Sequence, residues 1–175
     1  MLYLWAFDLS MDNTGIAIFD LHTYKPVHVT SIKTNKKHSH GKRLYHIAKE
    51  IHSLKDTYPA SVATIERGFS RFNTATQVIY MVHGLVNYLF HDIEIKYYPP
   101  KTVKETIIRG DATKKFVRQV IESHYPNVKF ENEDESDAFA VGLCWLIKNK
   151  KIKWEKRLKN KEWTYGETKK HSIHT

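Results

Sequence analysis

The first fifteen residues, MLYLWAFDLSMDNTG, constrain the fold more than any other stretch of the chain. An apolar run from Leu2 to Phe7 meets a lone carboxylate, Asp8, and a second apolar run follows Gly15. Because an unpaired buried charge is very costly, a strand that keeps Asp8 needs a cation or several hydrogen bonds beside it. The pattern predicts a hairpin whose first strand presents one carboxylate, with a tight turn at residues 13–15.

The length and composition favour one globular domain. A chain of 175 residues with 41% hydrophobic residues can bury a core without disulfides. The single cysteine, Cys144, excludes an intrachain disulfide and a multi-thiolate zinc site. No apolar stretch is as long as a membrane span and no signal-peptide pattern opens the chain, so we expect a soluble, cytoplasmic protein without a membrane partner.

The positive charge is concentrated at the C-terminus. The formal net charge is +9, and residues 148–175 hold ten Lys/Arg against three Glu, which leaves only +2 for the rest of the chain. Such a tail is either a solvated end or an arm that contacts a nucleic-acid backbone, with binding that weakens as salt rises. We therefore divide the chain into a domain of residues 1–148 and a basic C-terminal tail of residues 149–175.

Hydrophobic periodicity predicts an α/β fold. Strands are predicted at residues 2–10, 14–22, 26–34, 61–66 and 93–98. Helices are predicted from Leu44 to about Tyr58 and at residues 75–91, 101–109, 113–125 and 136–148. This order implies a mixed five-stranded central sheet, with the first three strands antiparallel, parallel crossovers after them, and helices on both faces.

Acidic residues recur at positions that could meet at one edge of this sheet. Residues 131–137 hold five carboxylates in seven positions, and Asp134 and Asp137 lie three apart at a helix start. Taken alone, these two could be N-terminal caps. Read together with Asp8 and Glu66, which close predicted strands, they suggest four hard oxygen ligands suited to Mg²⁺ or Mn²⁺. Two such ions about 3.5–4 Å apart are common machinery for phosphodiester hydrolysis.

These motifs resemble those of the RuvC family of Holliday junction resolvases, within the retroviral-integrase/RNase H-like superfamily. The resemblance rests on F-D-L-S-x-x-x-T-G around Asp8, I-E-R-G-F around Glu66 and D-E-S-D-A from Asp134 to Ala138, and it covers about residues 1–148. It implies an RNase H-like fold and a homodimer that resolves four-way junctions in DNA recombination and repair. It also implies Mg²⁺ as cofactor, with Mn²⁺ as a substitute and two ions per active site. On this pattern Asp8, Glu66, Asp134 and Asp137 bind metal, and Asp8 bridges both ions.

The resemblance also implies contacts with branched DNA. The family carries an aromatic residue near the position of Phe69, where a phenyl ring could stack on an unpaired base. Lys104 and Lys114 fall near basic positions that could hold the scissile phosphate, and Lys115 could replace Lys114. Further DNA contacts are expected from the same loop as Phe69, at Arg67, Arg71 and Asn73. The structural alternatives are a core-capping Phe69 and lysines on solvated helix faces.

Two departures from the family bear on the substrate. Bacterial members commonly read Asp-Pro-Gly at the first motif, whereas this chain reads Asp8-Leu9-Ser10, like phage-type relatives that tend to be less selective for junctions. The basic tail also extends beyond the family core. A broader branched-DNA, flap or RNA–DNA hybrid nuclease therefore stays open, as do a phosphate-binding ATPase or sugar-kinase relative and a non-catalytic DNA-binding module. If the gene belongs to a phage, the expected location is the host cytoplasm.

Overall fold

The structure, a computed structural model, describes residues 2–67 and 74–157. In these residues the strands are β1 (Tyr3–Asp8), β2 (Asn13–Asp20), β3 (Pro26–Lys33), β4 (Ala60–Glu66) and β5 (Glu94–Tyr98). The helices are α1 (His40–Thr57), α2 (Thr74–Leu89), α3 (Pro100–Ile107), α4 (Lys114–His124) and α5 (Glu133–Lys148). The predicted elements are all present, with boundaries that differ by a few residues.

The strands form one mixed sheet in the order β3-β2-β1-β4-β5. β1 pairs antiparallel with β2, and β2 pairs antiparallel with β3. β4 lies parallel to β1 on its other side and is followed by parallel β5. The predicted mixed sheet with helices on both faces is therefore confirmed.

Alternation along the central strands divides the core into two layers. In β1, Leu4 and Ala6 pack in the layer that contains α3, α4 and α5, whereas Trp5 and Phe7 pack in the layer that contains α1 and α2. Side chains two residues apart in a strand share a face. The same period therefore directs Asp8, at the end of β1, toward the α5 side of the sheet.

The predicted turn at residues 13–15 is wrong. Asn13 already begins β2, where it pairs with Lys33, and residues 9–12 make the connection from β1. Gly15 lies inside β2 for a different reason: a Cβ atom there would overlap the main-chain carbonyl of Asp134. The glycine lets the start of α5 approach the sheet closely. A local sequence pattern cannot show this long-range contact, and it therefore predicted a turn at Gly15.

The helix α5 starts at Glu133, three residues before the predicted start. Its N-cap is Asn132, whose side chain accepts a hydrogen bond from the backbone N–H of Glu135 at 3.1 Å. The capping role considered for Asp134 and Asp137 is thus taken by another residue. Most of α5 is buried, as its apolar sequence predicts.

The first residues of the predicted basic tail pack against the body of the protein. The indole Nε1 of Trp154 donates to the carbonyl of Ile107 at 2.8 Å, and its ring stacks on His124 with centroids 4.2 Å apart. Residues 158–175 lie outside the described part of the chain. Among the described residues, no helix is long and apolar enough to cross a membrane.

Candidate active site

Two of the predicted carboxylates close neighbouring parallel strands. Asp8 is the last residue of β1 and Glu66 is the last residue of β4, and the register pairs Phe7 with Ile65 directly before them. Val62 packs in the same layer as Leu4, so the two-residue period directs Glu66, like Asp8, toward α5. Local alternation and parallel pairing together bring these carboxylates to one edge of the sheet.

The helix α5 adds the other two acidic residues. Asp134 lies in its first turn and Asp137 one turn later, and both act electrostatically on Asp8. Asp137 also acts on Glu66. The four sequence-predicted carboxylates are therefore gathered at the end of β1 and β4, although they come from three separate segments of the chain.

Burial and mutual repulsion make this edge unfavourable for negative charge. Burial, followed by the charges of Glu66 and Asp137, raises the pKa of Asp8 from 3.8 to about 7. Burial and the charge of Asp137 likewise raise the pKa of Glu66 from 4.5 to about 7. The site thus holds more carboxylates than its surroundings can keep ionised at neutral pH.

Lys114 supplies a positive charge to this acidic group. It opens α4, and its ammonium forms a hydrogen-bonded ion pair with the Asp137 carboxylate. Burial lowers the pKa of Lys114, but the hydrogen bond and charge of Asp137, with Asp8 and Glu66, outweigh it and raise the pKa above its ordinary value. Burial raises the pKa of Asp137, and the ion pair with Lys114 opposes that rise.

Asn13 is a site residue that the sequence motifs did not single out. Its Nδ2 donates to a carboxylate oxygen of Asp134 at 2.6 Å across 121 residues of sequence. Ser10 Oγ accepts from the Asn13 backbone N–H at 3.0 Å and fixes the start of β2. The Asn13 Oδ1 atom is buried and has no hydrogen-bond partner among the described residues. The sequence signal was slight: a polar side chain between Asp8 and Gly15.

A cavity of about 260 Å³ opens beside the carboxylates. It is lined by Glu66, Pro100, Val103, Lys104, Lys114, Val117, Asp137 and Ala140. Lys104, from α3, acts electrostatically on Glu66 and lowers its pKa, against the larger effects that raise it. Two carboxylates and two ammonium groups therefore face one space, with apolar side chains as its walls.

The other predicted DNA contacts that the structure describes do not line this cavity. Arg67 is exposed directly after β4, and its backbone N–H donates to the carbonyl of Tyr98 at 2.8 Å. Lys115 is exposed and, unlike Lys114, does not line the cavity. Phe69, Arg71 and Asn73 lie outside the described residues.

The residues present fit a hard divalent cation. In residues 2–67 and 74–157, no three acidic, histidine or cysteine side chains are arranged to hold an ion as they stand. Asp137 is paired with Lys114 and Asp134 accepts from Asn13, so a cation that binds these carboxylates would displace both partners. The donors are oxygen atoms, which Mg²⁺ and Mn²⁺ prefer. The raised pKa values of Asp8 and Glu66 mark a local excess of negative charge that such a cation would relieve.

Comparison with known sequences gives a family match over most of the chain. A protein-family model described as crossover junction endodeoxyribonuclease RuvC matches residues 7–145, which include all four carboxylates. A RuvC of Prochlorococcus marinus subsp. pastoris is 28% identical over 148 residues, covering 79% of this chain and 92% of that protein. A RuvC of Ehrlichia canis is 30% identical over 143 residues, covering 78% of this chain and 91% of that protein.

Comparison with solved structures gives the same fold. The RuvC of Thermus thermophilus, solved in complex with a Holliday junction substrate, superposes with a TM-score of 0.75. The match covers 86% of this chain and 96% of that one, at 14% sequence identity. At that identity the likeness shows a shared fold.

Proposed function

This chain belongs to the RuvC family of crossover junction endodeoxyribonucleases, and we propose that it is a structure-selective DNA endonuclease that resolves four-way junctions. One observation carries the proposal: Asp8, Glu66 and Asp137 come together beside Lys114 at an edge where burial and repulsion raise the pKa of two carboxyls to about 7. A cluster of this kind, strained in the free protein, is suited to bind cations and to hydrolyse a phosphodiester.

We further propose that the cofactor is Mg²⁺, that Mn²⁺ substitutes for it, and that each site takes two ions. Asp8, Glu66, Asp134 and Asp137 would hold them, with Asp8 shared between the two. When bound, the ions would activate a water molecule and stabilise the charge that develops on the leaving oxygen. The work of the protein is to keep these carboxylates on rigid strand and helix ends.

The lysines of the site have a separate role in this proposal. Lys104 and Lys114 line the same cavity as Glu66 and Asp137, so a phosphate in that space would meet two ammonium groups. Their charge would stabilise the negative charge that accumulates on the phosphate oxygens as the water attacks phosphorus. Lys114 also holds Asp137 through its ion pair, which orients that carboxylate before the substrate binds. Arg67 and Lys115, both exposed, would contact the DNA backbone farther from the cleaved bond.

Cutting two strands of a junction requires two such sites, and we propose that a homodimer supplies them. One face of α2 exposes Met81, Gly84 and Tyr88, at the three- and four-residue spacing of a helix stripe, with Tyr80 beside it. A Cβ atom at Gly84 would meet nothing within 4 Å, so no packing inside the described chain explains this glycine. A second copy packed helix to helix would bury the exposed side chains and use Gly84 for close approach.

The chain boundaries and location follow as further proposals. Residues 1–148 would form the nuclease domain, and residues 149–175 a basic extension whose first residues pack on that domain through Trp154 and whose positive charge would contact DNA. The enzyme would act in the cytoplasm, where bacterial DNA is accessible. The Asp8-Leu9-Ser10 form of the first motif favours tolerance of other branched substrates. Flaps and RNA–DNA hybrids therefore belong in any test of selectivity.

The test is a cleavage gel with a panel of labelled substrates. Wild-type protein with Mg²⁺ should cut a synthetic four-way junction more efficiently than a fork, a flap, a duplex or an RNA–DNA hybrid, and EDTA should stop the reaction. Asp8→Asn should abolish cleavage while junction binding persists. Binding without cleavage of any substrate under Mg²⁺ or Mn²⁺ would indicate a non-catalytic module, and full activity of Asp8→Asn would refute the assigned site.

A further inference from the structure

A second cavity lies near the same ends of the strands as the carboxylates, but beside β3 and α1. It has a volume of about 490 Å³ and is formed by the end of β3, the loop after it and the first turns of α1. Its lining residues are Lys33, Thr34, Asn35, His38, Lys42, Arg43, Tyr45 and His46. We call this space the basic cavity. None of the residues that line it is acidic.

The positive charge of the basic cavity is only partly neutralised. Arg43 is buried, and its guanidinium is paired with Asp12 and donates to the carbonyl of Met11. Lys33 and Lys42 are exposed, and neither forms a salt bridge with a described carboxylate. Two free ammonium groups therefore face a concave space whose arginine is fixed in place, which is a surface suited to an anion.

The first turn of α1 adds to this positive potential. Lys42 and Arg43 lie in it, and it holds no acidic residue. Positive side chains are disfavoured at a helix N-terminus because the helix dipole is itself positive there. Positive charge at the start of α1 is therefore unfavourable in the free protein, and a bound anion would offset it.

Hydrogen bonds and strand pairing connect the basic cavity to the carboxylate site. Lys33 is the cross-strand partner of Asn13, whose side chain holds Asp134. Thr34 donates its backbone N–H to the carbonyl of Asp12 at 3.0 Å, so the loop after β3 is fastened to the connection that follows Asp8. An anion held at Lys33 is thus at a set position relative to the carboxylates, on the opposite side from the cavity of Lys104 and Lys114.

Tyr45 indicates what kind of anion fits. Tyr45 is 72% exposed at the rim of the basic cavity, so its ring is open to a ligand bound there. An exposed ring beside lysines can stack on a base or sugar while the ammonium groups hold the adjoining phosphates. A polymer with alternating phosphates and flat rings matches this surface better than a free inorganic ion does.

We propose that the basic cavity is a second DNA-binding site, which holds the backbone of a part of the substrate that is not being cut. This inference rests on the proposed function, because it assumes that DNA reaches the carboxylate edge. Lys33 and Lys42 bind phosphates, Tyr45 stacks on a neighbouring nucleotide, and Arg43 fixes the cavity to the Asp8 connection. Anchoring on both sides of the edge sets the angle at which branched DNA enters the site.

The test compares two double variants that lose equal charge. Lys33→Gln/Lys42→Gln removes the free ammonium groups of the cavity. The matched control, Lys25→Gln/Lys49→Gln, removes two exposed lysines, one just before β3 and one on α1, that do not line it. Affinity for a fluorescent four-way junction is measured by anisotropy in EDTA, where no cleavage occurs, over a range of KCl concentrations. Thermal unfolding confirms that each variant is folded.

The cavity variant should bind at least tenfold more weakly than wild type at about 0.1 M salt, and its slope of log affinity against log salt should fall by about two. The control should change both quantities much less. Tyr45→Ala should weaken binding more than Tyr45→Phe. Equal losses in the cavity variant and the control would overturn the proposal, since they would reflect net charge alone.

The two proposals fail separately in this experiment. Wild-type protein that binds the junction but cuts nothing with Mg²⁺ or Mn²⁺ refutes the nuclease activity, while the variants still decide the role of the cavity. Wild-type protein that cuts the junction, with affinity indifferent to Lys33 and Lys42, refutes only the second site. Failure of the wild-type protein to bind any DNA refutes both.

Discussion

At the scale of single residues, the folded protein disfavours the ionised form of Asp8. Its pKa of about 7 compares with 3.8 in the absence of the fold. Between these two values the folded protein keeps a proton that the unfolded chain has released. The stability contributed by this proton is complete below about pH 4, falls as the pH rises toward 7, and is lost above it. The full difference is on the order of 4 kcal/mol.

Asp8→Asn should therefore stabilise the metal-free protein. The unfolding midpoint in EDTA should rise most at about pH 8, where Asp8 is ionised, and hardly change at about pH 4. Asp20→Asn is a control of opposite sign, because backbone hydrogen bonds from Thr23 and His22 lower the pKa of Asp20 and its charge is favourable. Thermal scans across this pH range decide the matter. A lower midpoint for Asp8→Asn at high pH would contradict the repulsion described here.

Lys114 and Lys115 were interchangeable candidates from sequence, and the structure distinguishes them. Only Lys114 lines the cavity and pairs with Asp137. Lys114→Ala should lower the single-turnover cleavage rate by roughly a hundredfold or more, since it removes charge next to the reacting phosphate. Lys115→Ala should mainly weaken DNA binding, with a lower salt dependence. Equal rate losses in the two variants would show that the ion pair with Asp137 has no special role.

At the scale of elements, the sequence predicts most of the sheet and less of the site. The central strands were recognisable because a short apolar run is a local signal, and each of two such runs ends in a carboxylate, Asp8 or Glu66. That both carboxylates point to the α5 side of the sheet follows only from the folded packing. The contact from Asn13 to Asp134 was not predictable, because it depends on how closely α5 packs on β2. The same packing explains Gly15, which the sequence pattern assigned to a turn.

Gly15→Ala tests this close packing. The added methyl group would overlap the Asp134 carbonyl, so the start of α5 must move away from β2. The variant should lose about 1–3 kcal/mol of unfolding free energy, as over-packed sites do, and should bind Mn²⁺ more weakly. Gly41→Ala is the matched control, because a Cβ there meets nothing within 4 Å. Chemical denaturation curves that coincide for Gly15→Ala and wild type would contradict the packing.

At the scale of the whole molecule, the homodimer is the assembly that the exposed face of α2 favours. Met81→Glu places a charge in the middle of that face and should shift the protein from dimer to monomer in light scattering after size exclusion. His52→Glu, at an exposed position of α1, is the control and should leave the measured mass of the particle unchanged. Circular dichroism should show that both variants remain folded. A dimer that persists in Met81→Glu would place the interface elsewhere.

The central claim is that the carboxylates at the ends of β1 and β4 and the start of α5 bind divalent cations. Calorimetric titration with Mn²⁺, in buffers of different ionisation enthalpy, tests it without DNA. Because Asp8 and Glu66 have pKa values of about 7, cation binding should release protons at about pH 6 and few at about pH 8.5. Asp8→Asn should lose this binding. Absence of binding by the wild type, or equal binding by Asp8→Asn with no proton release, would contradict the account.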